Sequence, residues 1–321
     1  MNPLYRNDAP GAYPQSYYAA SADVGPERPA LDGDISVDVV VIGAGYTGLS
    51  TALHAAERGL EVAVVEAHRV GFGASGRNGG QVGTGWNWDQ RQLEKSLGRD
   101  DARKLWDLTV EAKALTRDLV ARHAADASYK PGVLHGHWTD AGARDTRAYG
   151  DWLREHYDYP TEHLDREAFQ AACCSPVYAG GLLDNDAGHL HPLRYVLGLA
   201  RAAEAVGVRI YERTEALELG DQSVRTGQGV VKARHIVVAG NGYLSDISDP
   251  LASRVMPINS FIAATEPLGD LADQVLPKDI AVADDKFVVN YFRLSEDKRL
   301  LFGGRESYSI GCPTDIDTAL R

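Results

Sequence analysis

Three glycines spaced as G-x-G-x-x-G, at Gly43, Gly45 and Gly48, are the first residues whose types and spacing point to chemistry. In such a turn the second glycine lets a pyrophosphate approach the backbone, and the third lets a helix pack closely on a strand. The phosphates then meet the positive end of that helix. Glu66 ends the next apolar run, where an acid accepts hydrogen bonds from ribose hydroxyls. The pattern predicts a dinucleotide site, and this context disfavours the alternative of a glycine-rich turn without a ligand.

A second glycine-rich segment, residues 71–81, follows shortly after Glu66. It holds five glycines, with Ser75, Arg77 and Asn78 between them. Exposed amides and hydrogen-bonding side chains of this kind suit a loop that follows a long ligand from its pyrophosphate towards a second ring system. A mobile surface loop is the alternative, but it does not explain the Arg-Asn pair. The second segment favours FAD over NAD.

Other polar and aromatic residues carry weaker signals. Arg293 alternates with Tyr291 on a predicted strand, where it could pair with a substrate carboxylate or, equally, form a structural ion pair. Trp86 and Trp88 could form a wall of the pocket or pack in the core.

Two H-x-H pairs, at residues 135–137 and 189–191, lack a third ligand at a recognisable spacing, so we expect no metal site. His191, followed by a proline, is expected to shape the return of the chain into the cofactor domain. The three cysteines, at positions 173, 174 and 312, are expected to be free thiols in a reducing compartment.

Together these motifs resemble the FAD-dependent oxidoreductases of the D-amino-acid-oxidase-like (DAO) superfamily, and within it the bacterial γ-glutamylputrescine oxidases. The resemblance covers nearly the whole chain, and it is carried by residues 16–21, 45–50, 72–80, 188–192, 237–241, 291–294 and 299–301.

The resemblance implies a role for each matching position. The expected FAD-binding residues are Gly43, Gly45, Gly48, Glu66, Ser75, Arg77, Asn78, Gly80, Gln81, Ala216, Ala239 and Gly240. In this scheme Ser75, Arg77, Asn78 and Gly80 lie along the pyrophosphate and ribityl chain. Gln81 lies near the isoalloxazine and, with Tyr291 and Arg293, is a candidate catalytic residue. Cys312 does not resemble the cysteines that hold flavin covalently in relatives, so non-covalent FAD is expected.

The reaction implied by the resemblance is oxidation of an amine C–N bond by hydride transfer to flavin, with aldehyde, ammonia and H2O2 as products. The expected partners are therefore a small-molecule amine and O2. Two alternatives stay open: a dehydrogenase of amino acids or secondary amines that uses another electron acceptor, and an inactive flavin-binding fragment.

The secondary-structure elements that must position these residues indicate an α/β fold. A β-branched run at 37–42, a helix after Gly48 and a second run at 61–66 form one βαβ unit. The resemblance implies a Rossmann-like (glutathione-reductase-type) FAD domain at 35–81 plus 188–249, after an irregular lead-in at 1–34. A mixed α+β substrate domain is expected at 82–187 plus 250–310.

Local patterns add four expectations about packing and the chain end. Residues 235–240 are predicted to be a buried strand, and 89–122 to be helical. A stripe of Trp106, Val110, Leu115 and Leu119 on that helical stretch is predicted to pack in the core. Residues 311–321 look like the start of a truncated C-terminal segment, so the final part of the family fold is expected to be missing.

Composition excludes several other classes of protein. The 321 residues carry a formal net charge of −12, which disfavours nucleic acid and anionic membrane surfaces as partners. The N-terminus has no basic start followed by an apolar core, so it does not resemble a secretory signal. A cytoplasmic location is expected, and the oligomeric state is not predicted.

Overall fold

The computed structural model describes residues 3–5, 9–244 and 247–308. The predicted segment 311–321 and Cys312 lie outside the described residues. Contacts divide the chain into two units, of which the first comprises Met1–Asn78, His191–Ser260 and Glu306–Arg321, and the second Gly79–Leu190 and Phe261–Arg305. These boundaries differ from the predicted 81/82, 187/188 and 249/250. The assignment of a cofactor role to one unit and a substrate role to the other remains a prediction.

The strands and helices alternate along much of the chain. In chain order the strands are β1 (Ile35–Ile42), β2 (Val62–Val65), β3 (Gln81–Val82), β4 (Lys130–His137), β5 (Glu162–Leu164), β6 (Gly180–His189), β7 (Arg209–Tyr211), β8 (Ala216–Gly220), β9 (Ser223–Thr226), β10 (Val230–Val238), β11 (Asn259–Ala264), β12 (Ala281–Asp284), β13 (Tyr291–Leu294) and β14 (Leu300–Ser307). The α-helices are α1 (Tyr17–Ser21), α2 (Tyr46–Glu57), α3 (Gln90–Leu97), α4 (Arg99–His123), α5 (Asp140–Tyr157), α6 (Arg166–Ala172), α7 (Pro192–Ala205), α8 (Asp249–Ala252) and α9 (Ala272–Val275).

The sheet of the first unit has the strand order β7-β2-β1-β10-β9-β8. The strands β7, β2, β1 and β10 run parallel, and β9 and β8 add an antiparallel extension. The predicted βαβ unit is present as β1, α2 and β2. All of β2 and the second half of β1 are buried, as expected for a parallel strand covered on both faces.

The second sheet has the order β11-β14-β13-β12-β4-β6-β3, and β5 also pairs with β6. Its strands are mostly antiparallel, except that β12 runs parallel to β4. Helices α3 to α6 belong to the same unit, and a separate core of Leu134, Phe169, Leu183, Val282 and Leu294 lies within it. A mixed α/β architecture with a Rossmann-like sheet in the first unit is therefore confirmed.

Three local expectations are wrong. The predicted buried strand at 235–240 ends at Val238 and is only partly buried, since the residues that follow it line a cavity. Residues 1–34 are not wholly irregular, because they contain α1 and a 3₁₀ turn at Pro3–Tyr5.

The third error concerns the stripe on α4. Trp106 and Leu119 are buried, but Val110 and Leu115 are each 37% exposed. The helical stretch is broken at Gly98 into α3 and α4. All four residues lie within α4, where Leu115 is about half a turn around the helix from Trp106, so they do not form one stripe.

None of the helices within the described ranges is long and apolar enough to cross a bilayer.

Candidate functional site

The register of two parallel strands brings the predicted motif residues together. In that register Ile42 of β1 lies opposite Val65 of β2, so both strands end at the same edge of the sheet. The N–H of Gly43 donates to the carbonyl of Val65 at 2.8 Å, and the N–H of Ala44 donates to the Glu66 carboxylate at 2.8 Å. The glycine turn and the acid predicted from sequence are thus direct neighbours.

The three glycines of the turn are each required for a different contact. Gly43 has φ +103°, and a Cβ there would lie 2.7 Å from the carbonyl oxygen of Ala239. A Cβ at Gly48 would lie 2.0 Å from the carbonyl oxygen of Gly43, so this glycine lets α2 pack against the turn. Gly45 is the N-cap residue of α2 and offers no side chain to cap the helix. The positive end of α2 therefore faces the turn with backbone amides.

A cavity lies at this edge of the first unit. Of the predicted cofactor residues, those on its wall are Gly43, Gly45, Glu66, Ser75, Ala216, Ala239 and Gly240. Gly48 is not on the wall, which agrees with its packing role. The sequence reasoning missed several further wall residues: Leu4, Glu215, Leu217, Asn241, Tyr243, Leu244 and Ile247.

Glu66 is held by two backbone donors. One carboxylate oxygen accepts from the N–H of Ala44, and the other accepts from the N–H of His68 at 2.9 Å. Burial raises the pKa of Glu66 above its ordinary 4.5, although these amides act in the opposite direction. Each oxygen retains a second lone pair, with which it can accept a hydrogen bond from a hydroxyl group of a ligand.

The loop at 71–78 forms another wall of the cavity. Ser75 Oγ accepts from the N–H of Tyr46 at 3.1 Å, which ties the loop to the first turn of α2. Arg77 and Asn78 are not among the residues that line the cavity, and their place along the pyrophosphate and ribityl chain remains a prediction. Arg77 Nε donates to the carbonyl of Phe72 at 2.8 Å, and Asn78 Nδ2 donates to the carbonyls of Ala74 and Ser75. In the structure these two side chains fix the shape of the loop.

The remaining predicted residues belong to the second unit. Gly80 accepts from the N–H of Leu190 at 2.8 Å, and Gln81 Nε2 donates to the carbonyl of Val282 at 2.9 Å. Arg293 is buried, and its Nε donates to the carbonyl of Gly79 at 2.9 Å. These bonds all hold the short segment 79–81 within its own unit.

Tyr291 packs beside the same segment. A Cβ at Gly79 would lie 2.7 Å from its ring, and a Cβ at Gly303 would lie 2.1 Å from it. The ring of Tyr291 thus occupies space that is open only because both neighbours are glycines.

Other polar candidates have structural partners. His191 Nδ1 accepts from the N–H of Arg194 and caps α7, and His191 is the first residue of a segment of the first unit. That this unit is the cofactor domain remains a prediction. His189 is buried, and burial lowers its pKa to about 4, so its ring is neutral at pH 7. Among the described residues, no group of three or more His, Cys, Asp or Glu side chains could hold a metal ion.

The candidate tryptophans and cysteines differ in their exposure. Trp86 and Trp88 are 50% and 53% exposed, so the core-packing alternative is wrong for both. Cys173 is buried, which raises its thiol pKa to about 11, whereas Cys174 is exposed.

The cavity matches the adenosine diphosphate half of a dinucleotide. The N-terminus of α2, where Gly45 offers no side chain of its own as a cap, suits the diphosphate, and the Glu66 carboxylate suits the ribose hydroxyls. Apolar residues of the cavity wall, among them Ala216 and Leu217, suit a base. The residues present therefore fit FAD.

Comparison with known proteins shows which family and which individual proteins this chain is similar to. The sequence profile of a family described as FAD dependent oxidoreductase (DAO) matches residues 38–320. The chain is 40% identical to the γ-glutamylputrescine oxidoreductase of Escherichia coli (strain K12) over 307 residues, which cover 94% of this chain and 72% of that protein. It is also 40% identical to a Rhizobium meliloti (strain 1021) protein named probable oxidoreductase OrdL, over 95% of this chain and 72% of that protein.

Solved structures agree on the fold. The crystal structure of glycine oxidase from Geobacillus kaustophilus superposes with a TM-score of 0.65 at 20% identity, covering 85% of this chain and 72% of that one. At this identity the likeness concerns the fold alone.

Replacing Gly45 by Ala should weaken FAD binding. The new Cβ would lie 2.8 Å from Ser75 Oγ, at the point where the diphosphate approaches the amides of α2. We expect the Kd for FAD to rise roughly tenfold or more, a loss of about 1.4 kcal/mol. Flavin fluorescence titration of the apoprotein measures this, and Gly227→Ala, where a Cβ meets nothing within 4 Å, is the matched control. Equal affinities of the two variants would contradict the assignment.

Replacing Glu66 by Gln should also weaken FAD binding. An amide group offers one acceptor oxygen in place of two, so one backbone N–H and a ribose hydroxyl lose their partner. We expect roughly a tenfold rise in the Kd for FAD, consistent with a loss of about 1–3 kcal/mol for an unsatisfied buried donor. Glu57→Gln, on an exposed position of α2, should leave the Kd unchanged.

The raised pKa of Glu66 predicts a pH dependence of apoprotein stability. A folded-state pKa above 4.5 means that Glu66 contributes stability below pH 4.5, and that this contribution is lost as the pH rises through the folded value. The difference in the free energy of unfolding between the native apoprotein and Glu66→Gln should therefore fall as the pH rises from 4.5 through the folded-state pKa of Glu66. Urea denaturation at a series of pH values measures it, and a difference that rises with pH would show the opposite shift.

Proposed function

This chain belongs to the DAO family of FAD-dependent oxidoreductases, and from that membership we propose that it oxidises the primary amine of a γ-glutamylputrescine-like substrate. The observation that carries the proposal is the 40% identity, over 94% of this chain, to a γ-glutamylputrescine oxidoreductase. The sequence resemblance at residues 188–192 and 291–294, outside the glycine motif, supports the same substrate class.

The first unit is proposed to bind the cofactor. The backbone at Gly43 and Gly45, together with Ser75, would hold the diphosphate, and Glu66 would accept hydrogen bonds from the adenosine ribose. Ala216, Ala239 and Gly240, as wall residues, would lie along the same ligand. Arg77 and Asn78 would act indirectly, because their side chains fix the loop that carries Ser75.

A substrate-binding role is proposed for the second unit. Gln81 and Tyr291 are the candidates for contact with the substrate or the flavin ring. Arg293 fits a positioning role better than a role in carboxylate binding, because it is buried and donates to the backbone carbonyls of Gly79 and Leu294. It would hold the segment 79–81 in one conformation.

The chemistry that FAD supplies when bound is that of a hydride acceptor, for the hydride on the carbon next to the amine nitrogen. The tasks left to the protein are to bind the neutral amine, to orient that carbon and to exclude water. Hydrolysis of the resulting imine gives aldehyde and ammonia. With O2 as the electron acceptor the overall reaction is amine plus O2 plus water, giving aldehyde, ammonia and H2O2. We propose this oxidase reaction with non-covalently held FAD.

An amine panel tests this proposal. Purified protein should be yellow, and acid precipitation should release FAD into the supernatant. Anaerobic γ-glutamylputrescine should bleach the visible flavin absorbance faster than putrescine, sarcosine or D-alanine. Under air the same substrate should give one H2O2 per aldehyde formed, as measured by a peroxidase-coupled assay.

Each other outcome has a definite meaning. Bleaching by γ-glutamylputrescine without peroxide under air would identify a dehydrogenase with another acceptor. Faster bleaching by sarcosine or D-alanine would overturn the proposed substrate class. Yellow protein that no amine bleaches would overturn the enzymatic proposal and indicate a flavin-binding protein only.

A further inference from the structure

The N-terminal residues reach the cofactor cavity. Leu4, in the 3₁₀ turn Pro3–Tyr5, lines that cavity and is only 9% exposed. We call Pro3–Tyr5 and residues 9–13 together the N-terminal strap. No pattern in the sequence marks the strap as part of a binding site, and its members lie far from the glycine motif along the chain.

One buried imidazole fastens the strap at two points. The N–H of Gly11 donates to His68 Nδ1 at 3.2 Å, so Nδ1 carries a lone pair, and Nε2 therefore carries the proton. His68 Nε2 then donates to the carbonyl of Leu4 at 2.8 Å. The ring is fully buried and stacks on Phe72, with centroids 3.7 Å apart. His68 thus joins both parts of the strap to the loop that forms a wall of the cavity.

Two tyrosine hydroxyls secure the strap from other directions. Tyr5 Oη donates to the Glu215 carboxylate at 2.7 Å, and Glu215 itself lines the cavity. Tyr13 Oη donates to the carbonyl of Val70 at 2.7 Å. The strap is therefore fixed to Glu215, on the cavity wall, and to Val70, next to the loop at 71–78.

We propose that the N-terminal strap completes the adenosine subsite of FAD, with Leu4 as an apolar contact for the adenine-ribose moiety. Glu66 is the proposed partner of the ribose hydroxyls, and Ala216 and Leu217 are apolar residues of the same cavity wall. Leu4 adds a side chain that excludes water from the base, and burial of apolar surface favours binding. This inference depends on FAD binding and not on the identity of the amine.

Replacing Leu4 by Ala tests the contact without touching the fastening by His68, since that bond uses the backbone carbonyl. We expect FAD to dissociate roughly tenfold faster from the holoprotein, and ADP to bind the apoprotein roughly tenfold more weakly, equivalent to about 1.4 kcal/mol. Flavin fluorescence after dilution gives the dissociation rate, and isothermal titration gives the Kd for ADP. His68→Leu, which removes both fastenings, should have a larger effect on both quantities.

FMN binding and a substitution at the exposed residue Gln15 provide the controls. FMN lacks the adenosine, so its Kd should be the same for Leu4→Ala and the native protein. Gln15→Ala, at an exposed position just beyond the strap, should change none of these values. If circular dichroism shows that His68→Leu does not fold, the measurements on Leu4→Ala alone decide whether the inference holds.

The inference is overturned if Leu4→Ala leaves FAD dissociation and the Kd for ADP within twofold of the native values. It is also overturned if FMN binding weakens as much as ADP binding, because that would show a general loss of structure. A protein that binds FAD through the strap but oxidises no amine would refute the proposed function and leave this inference intact.

Discussion

The pairing of β1 with β2 is the constraint on which the site depends. It places Ile42 opposite Val65, so that the turn after one strand and the acid after the other meet at a single edge. The Glu66 carboxylate, at the end of one strand, then accepts a hydrogen bond from the N–H of Ala44, at the end of the other. Since a parallel strand needs a crossover to reach its neighbour, α2 must begin at this same turn, and its positive end is directed to the cavity. The position of the acid and the position of the helix terminus follow from one register.

Much of this arrangement could be predicted from sequence because each part has a local cause. The β-branched runs predict buried parallel strands, and the glycine spacing predicts a tight turn into a helix. Gly43, with its positive φ and its close approach to Ala239, shows why no other residue suits that position. Glu66 was likewise predictable, since its place is fixed by the length of the βαβ unit.

The parts that could not be predicted depend on contacts between distant segments. Leu4 is held at the cavity by a hydrogen bond from His68, and Glu215 on the cavity wall accepts one from Tyr5, so both contacts join segments far apart in the chain. Arg77 and Asn78 are polar residues in the expected loop, yet their side chains bond backbone carbonyls of that loop and do not line the cavity. Periodicity also failed on α4, because at 3.6 residues per turn Leu115 lies about half a turn around the helix from Trp106, so the four predicted residues do not share one face. The buried residues of α4 are Ala102, Trp106, Lys113, Leu119 and Val120, whereas Val110 and Leu115 are exposed.

The ring of Tyr291 has a consequence for any redesign of the second unit. Positions 79, 291 and 303 share one volume, because a methyl group at either glycine would overlap the phenol ring. A side chain can be introduced at 79 or 303 only together with a smaller residue at 291. Libraries that vary these sites one at a time would therefore discard combinations that pack well, and the three codons should be randomised jointly.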